Sequence, residues 1–170
     1  MAVEIERKFL TTSDAWRAQT SRAQRMVQGY LIDANLVQSQ IGTRCSIRVR
    51  IGGDQAWLNI KSATLGVERL EYDYPIPVAD AERMLRDFCN GVVEKVRHYV
   101  PCSGLMFEVD EFLGDNAGLI VAEVELQSAG QPIDKPGWLG REVTDHMRYY
   151  NLNLLQHPYS RWSERERAGE

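Results

Sequence analysis

Six short stretches of the chain carry charged residues at every second position. They hold Glu4, Glu6 and Lys8; Arg48 and Arg50; Arg69, Glu71 and Asp73; Lys95 and Arg97; Glu108 and Asp110; and Glu123 and Glu125. Successive side chains of a β-strand point to opposite faces, so residues i and i+2 share a face. The spacing therefore predicts rows of charge on one face, with Val3, Ile5, Ile47, Val49, Val109, Val124 and Leu126 on the other. A half-buried strand normally hides its apolar row and turns its polar row to water. What sets this chain apart is how many strands do so with dense charge of both signs. Either the sheet has a highly charged solvent face, or the rows line an enclosed cavity.

At 170 residues the chain has the size of one domain with a substantial core. We expect that domain over residues 1–160 and a solvated tail over 161–170. A net charge of -4 argues against broad attraction to nucleic acid. No apolar run approaches the roughly 18–20 residues that span a membrane. The chain starts on a charged strand with no signal-peptide pattern, and its three cysteines, Cys45, Cys89 and Cys102, are widely spaced. That usage predicts reduced thiols in the cytoplasm and no zinc-ligand spacing.

Period-two stretches predict strands over 2–10, 26–32, 45–51, 56–62, 67–76, 92–100, 105–113 and 119–127. Gly52, Gly53 and Asp54 mark a hairpin between two of them. Ala81, Met84, Leu85 and Phe88 recur at helical spacing, which predicts a helix over 79–90. A short helix capped by Thr12 or Ser13 is expected to run to about residue 25. The segment 140–156 mixes helix and turn signals. The fold class is thus α+β: about eight mostly antiparallel strands with two or three flanking helices. Eight strands can close into an antiparallel β-barrel that holds side chains or one small ligand. Charged rows facing inward must balance, because unpaired buried charge is costly. The rows offer eight carboxylates against seven bases once Lys61 is counted with its neighbours.

The pattern resembles the CYTH superfamily, the triphosphate tunnel metalloenzymes. The resemblance rests on Glu4-Ile5-Glu6-Arg7-Lys8, then QGYL at 28–31, RVR at 48–50, NIK at 59–61 and ERLEYD at 68–73. It continues through KVRH at 95–98, EVD at 108–110, EVE at 123–125 and EVTDHMRYYN at 142–151. It implies an eight-stranded barrel whose tunnel binds a triphosphate with Mg2+ or Mn2+, and hydrolysis of inorganic triphosphate to pyrophosphate and orthophosphate. The alternatives are a class IV-type adenylate cyclase, a thiamine triphosphatase, or non-catalytic binding of polyphosphate or nucleotide. No separate adenine pocket is evident in the sequence.

Triphosphate repels an incoming water, so an enzyme must neutralise its oxygens and hold it in line. Arginines suit the first task as bidentate donors and lysines as point charges. The resemblance assigns substrate contacts to Lys8, Arg48, Arg50, Lys61, Lys95 and Arg97, and less directly to Arg69. Carboxylates form the hard-oxygen site that Mg2+ or Mn2+ prefers. Glu4, Glu6, Glu123 and Glu125 are assigned to the ion, with Asp110 sharing a second one. Glu4, Glu6, Lys8 and Asp110 would accordingly be catalytic. Glu71 and Asp73 would orient arginines, Glu108 would form an ion pair with one of the lysines, and His98 would face outward. The 140–156 segment would lie across a tunnel mouth or cover a sheet edge. No membrane or nucleic-acid partner is expected, and a homodimer through sheet edges is plausible.

Overall fold

A computed structural model describes residues 2–32, 45–62 and 68–168. Among these residues nine strands make one antiparallel sheet: β1 (Ala2–Thr11), β2 (Arg22–Ile32), β3 (Cys45–Gly52), β4 (Gln55–Ser62), β5 (Glu68–Ile76), β6 (Val93–Cys102), β7 (Leu105–Phe112), β8 (Ile120–Glu125) and β9 (Leu139–Glu142). Their order is β5-β4-β3-β2-β6-β7-β8-β1-β9. Residues 2–5 of β1 also pair with β5, while residues 6–10 pair with β8. The first strand is thus bonded to both ends of the series that runs from β5 to β8.

The ninth strand corrects the expected eight. Four residues with no alternating pattern carry no period-two signal, yet β9 bonds to the free edge of β1. The Arg7 guanidinium fixes it there, pairing with both oxygens of Glu142 and bonding from Nε to Oε1 at 2.7 Å. A second correction concerns residues 13–25. Only Ala15–Gln19 turns, as a single 3₁₀ segment, and β2 begins at Arg22. The longer β2 gains a continuous ladder with β6 from Arg22 to Gln28, which outweighs local helix propensity.

Turn chemistry sets two hairpins. Gly53 takes φ +60° between β3 and β4, and Ser103 and Gly104 take φ +49° and +76° between β6 and β7. Two consecutive positive φ values suit the right-handed twist of the paired strands.

The helices are α1 (Val78–Asp87), α2 (Asn151–Gln156) and α3 (Glu164–Arg167). α1 lies on the outer face of the sheet, where Ala81 is buried with Val49 and Ala56, and Met84 and Leu85 pack alongside. The helix comes so close to β2 that a Cβ on Gly29 would stand 2.8 Å from Cys89 Sγ. On the face of β1, β6, β7 and β8 opposite the charged rows, the apolar row of Phe9, Val100, Phe107, Val109, Ala122 and Val124 forms the main core. Trp16 and Trp138 roof it. Burying each such large side chain contributes roughly 1.5–3 kcal/mol.

A third cluster lies on the charged face itself. Leu10, Val93, Phe112 and Val121 continue the rows of Lys8, Lys95, Asp110 and Glu123 by two-residue steps. They pack against Val143, Tyr149, Leu154 and Trp162. The C-terminal segment therefore forms an apolar plug at one end of the charged rows. Trp162 is 4% exposed, which corrects the expected solvated tail from 161 onward. Its ring meets Tyr149 and Tyr159 edge-on at 5.3 and 5.1 Å. The apolar area it removes from water outweighs the polar character of its neighbours.

Candidate active site

Strand register turns the charged pairs into a two-dimensional array. Glu6 stands opposite Glu125 and Lys8 opposite Glu123 across β1–β8. Glu123 stands opposite Glu108 across β7–β8, and Arg97 opposite Asp110 across β6–β7. On the other side, Arg48 faces Asn59, Asn59 faces Asp73, and Lys61 faces Glu71. Directly opposite residues of an antiparallel pair share a face and lie within side-chain reach.

Two ionic networks result. In the first, Lys8 Nζ donates to Glu6 and Glu123. Arg97 makes a bidentate pair with Asp110, its Nε and Nη2 donating at 2.7 Å each. It also donates to Glu123 Oε2 at 2.6 Å and to Glu108. Lys95 donates to Asp110. In the second network, Lys61 Nζ reaches Glu4 at 2.8 Å and Glu71 at 3.0 Å. Arg48 Nε donates to Asn59 Oδ1 at 3.1 Å, and Asn59 donates on to Asp73.

Burial makes these interactions strong. Lys8, Arg48, Lys95, Arg97, Asp110 and Glu123 are all buried. Burial opposes charge on Lys8, yet Glu123 and Glu6 outweigh it and hold the ammonium above its ordinary pKa. Burial likewise works against Glu123, but Lys8, Lys95 and Arg97 keep it well below the usual carboxylate range. Lys95 is pulled down, by burial first and by the adjacent Arg97. Glu71 is pushed up to about 7, chiefly by burial and despite Lys61, while its hydrogen-bonded neighbour Glu4 is held down by Lys61 against its own burial. Glu71 thus gives up its proton only near neutrality.

The six cations Lys8, Arg48, Arg50, Lys61, Lys95 and Arg97 all lie on this face. The side chain of Arg69 lies outside the described residues. The carboxylates expected to hold metal are divided. Asp110 is fully buried and bound to Lys95 and Arg97, and Glu123 is bound to Lys8 and Arg97. Glu4, Glu6 and Glu125 form a different group, in which burial and then the charges of Glu4 and Glu6 push the exposed Glu125 carboxyl up. Among the described residues, no three His, Cys, Asp or Glu side chains converge as a metal-holding set. Glu71 and Asp73 touch the arginines Arg48 (3.6 Å) and Arg50 (4.0 Å). Glu108 pairs with Arg97, and burial raises its carboxyl. His98 lies on the opposite face, edge-on to Trp16 and 3.3 Å from Glu111.

Thr144 and Tyr150 entered the sequence reading only within the 142–151 motif, with no role of their own. The Lys8 amide donates to Thr144 Oγ1 at 3.0 Å, and that hydroxyl donates to Glu142 at 2.8 Å. Tyr150 Oη donates to the Thr144 carbonyl at 2.9 Å, and its ring lies 5.5 Å from Lys8 Nζ. The two contacts to Lys8 join residues more than 130 positions apart, and no local pattern announces them. Gln28, buried beside Arg50 in register, was identified only as part of a motif.

The sequence profile of the CYTH domain matches residues 2–159. The chain belongs to the CYTH domain family. Among CYTH relatives, the inorganic triphosphatase of Acetivibrio thermocellus is 39% identical over 165 residues, which cover 96% of this chain and 100% of that protein. The inorganic triphosphatase of Nitrosomonas europaea is 34% identical over 155 residues, 89% of this chain and 95% of that one. The solved structure of the inorganic triphosphatase NE1496 superposes with a TM-score of 0.64 and 31% identity, covering 91% of this chain and 95% of its own. The PH1012 protein of Pyrococcus horikoshii shares the CYTH fold at a TM-score of 0.53 and 18% identity, covering 74% of this chain and 80% of its own.

Proposed function

We propose that this protein hydrolyses inorganic triphosphate to pyrophosphate and orthophosphate, using a divalent cation, on the charged face of its sheet. The observation that carries the reading is the buried array of Lys8, Arg48, Lys95 and Arg97, flanked by Lys61 and Arg50, on one face with the carboxylates. Four buried cations on one face are a costly arrangement for a structural sheet and a useful one for a polyanion. Two full-length relatives that are inorganic triphosphatases support the substrate. The bond between β1 and β5 supports closure of β1–β8 into a tunnel, with the apolar plug at one end. Among the described residues no helix is long and apolar enough to cross a membrane.

Arg48, Arg50, Arg97, Lys8, Lys61 and Lys95 would neutralise the phosphoryl oxygens and hold the chain of phosphates straight. Glu4, Glu6 and Glu125 suit Mg2+ or Mn2+: they are hard oxygen donors, they share a face, and their mutual repulsion leaves negative charge to be offset. When bound, the ion supplies charge neutralisation on the phosphates and polarises water. Lys61 and Lys8, which now hold Glu4 and Glu6, would turn toward the substrate as those carboxylates are engaged.

Product analysis tests the reading. Inorganic triphosphate, ATP and thiamine triphosphate are offered separately with Mg2+ or Mn2+. Orthophosphate released fastest from inorganic triphosphate supports it. Cyclic AMP from ATP, or no turnover of any of the three, overturns it.

A further inference from the structure

Gln28 is 1% exposed, and among the described residues neither its side-chain oxygen nor its nitrogen has a hydrogen-bond partner. It sits in β2 directly opposite Arg50 of β3 and Val93 of β6. It therefore shares the charged face with Arg50, and it lies beside the apolar plug, to which Val93 belongs. A carboxamide withdrawn from water and given no partner is destabilising, and native interiors rarely tolerate one. An apolar residue of the same shape would fill the position at lower cost. The side chain is thus kept for something that the folded chain alone does not supply.

Its neighbour points to what that is. Arg50 Nε is also buried without a hydrogen-bond partner among the described residues. Among the described residues, the carboxylate contact of Arg50 is Asp73, at 4.0 Å. By contrast, Arg97 is saturated by Asp110, Glu108 and Glu123. Burial, then Arg48 and Arg97, press against the charge on Arg50. Among the described residues Arg50 is thus only weakly offset by carboxylates, and its unused Nε stands across the ladder from the unused amide of Gln28. An anion with several oxygens meets both needs. A carboxylate at position 28 would only accept and would repel the anion, and a lysine would only donate. The amide does both.

We propose that Gln28 and Arg50 form one anion subsite at the plug end of the charged face. There Gln28 Nε2 and Arg50 Nε donate to oxygens of one phosphoryl group, and Gln28 Oε1 accepts from a water ordered beside it. The assignment of that phosphoryl group to inorganic triphosphate rests on the function proposed above. The subsite adds a neutral, direction-sensitive contact to a face otherwise made of full charges. Because the apolar plug begins at Val93 beside it, the subsite suits a terminal phosphoryl group.

The test uses Gln28→Met, which keeps the length and removes the polar atoms, and Gln28→Glu. Each is compared with the unaltered protein by thermal melting with and without inorganic triphosphate in EDTA, and by KM and kcat with Mg2+. Gln28→Met is expected to melt at or above the unaltered protein when no ligand is present. Its affinity for triphosphate should fall about tenfold or more, with a larger fall for Gln28→Glu. Affinity decides, read as KM where triphosphate is turned over and as the ligand-induced melting shift where it is not. Unchanged affinity in Gln28→Met overturns the subsite even if hydrolysis by the unaltered protein stands. A melting shift without hydrolysis sinks the triphosphatase reading and leaves the subsite to be judged by the shift. Neither shift nor hydrolysis in the unaltered protein overturns both.

Discussion

Glu6 stands directly opposite Glu125 across the β1–β8 ladder, two carboxylates on one face of neighbouring strands. Like charges in that position destabilise a sheet. Burial, Glu4 and Glu6 all raise the Glu125 carboxyl, so the arrangement carries excess negative charge. A divalent cation bound there would relieve it. Mg2+ or Mn2+ alone should therefore raise the melting temperature, because a ligand that binds only the folded state stabilises it. At a hundredfold excess over Kd the gain is about 2.7 kcal/mol. For a chain of this size that corresponds to roughly 5–10 °C. Glu4→Gln, Glu6→Gln and Glu125→Gln should each shrink the shift, and the first two should abolish metal-dependent turnover with little loss of folding. A metal-induced shift of wild-type size in Glu6→Gln would rule out its place in the ion site.

Asp110 behaves differently in this structure, as the anion that holds Lys95 and Arg97 together in a fully buried position. Removing one partner of a buried ion pair leaves uncompensated charge, at a cost of about 3–5 kcal/mol. Asp110→Asn should thus lower the melting temperature by about 10 °C with or without divalent metal. The metal-induced shift itself should survive. If Asp110→Asn instead folds normally and loses that shift, Asp110 belongs with the metal ligands.

The sheet and its charged face were legible because both depend on local periodicity. Alternation in VEIERKF, SIRVRI and FEVDEF names the strands and which side chains share a face, and helical spacing locates α1 within a few residues. What alternation does not carry is register. It places Lys61 and Glu4 on charged rows, but not within 2.8 Å of each other, because their strands meet only through β5. It also treats Asp110 and Glu125 as equivalent carboxylates. Burial in the interior of the ladder ties one to cations, while the end of β8 leaves the other exposed. Contacts made late in the chain were the least legible. β9 is four residues long, and Thr144 and Tyr150 act on Lys8 across a long sequence separation.

Glu71 gives a pH signature. Its carboxyl rises from an ordinary 4.5 to about 7, mainly through burial, and it is hydrogen-bonded to the ionised Glu4. A folded-state pKa above the unfolded one means that the folded chain holds the proton more tightly. The associated stability is complete below about pH 4.5 and is lost as pH rises through about 7. Glu71→Gln keeps a neutral amide in the same place and removes the titration. Melting curves between pH 4 and 8 should show the variant losing less stability than the parent over that window. Parallel pH profiles would show that Glu71 is already ionised in the folded chain across it.

Trp162 tests the plug. It is buried among Tyr149, Tyr159 and the ends of the charged rows, and its Nε1 donates to the His157 carbonyl at 2.9 Å. Immediately after it, Ser163 caps the short α3 through a reciprocal pair of bonds with Glu166, which fixes the direction in which the chain leaves the plug. Truncating a buried tryptophan to alanine costs about 3–5 kcal/mol through lost burial and the cavity left behind. Trp162→Ala should therefore lower the melting temperature by about 10 °C. Because the plug ends the rows that carry Lys8, Lys95 and Glu123, it should also weaken triphosphate affinity at temperatures well below the melt. Glu164→Ala, on the exposed side of the same segment, serves as the control and should change neither quantity. A Trp162→Ala protein that melts like the parent would mean that residues beyond 161 contribute nothing to the folded domain, as the polar sequence of the tail had suggested.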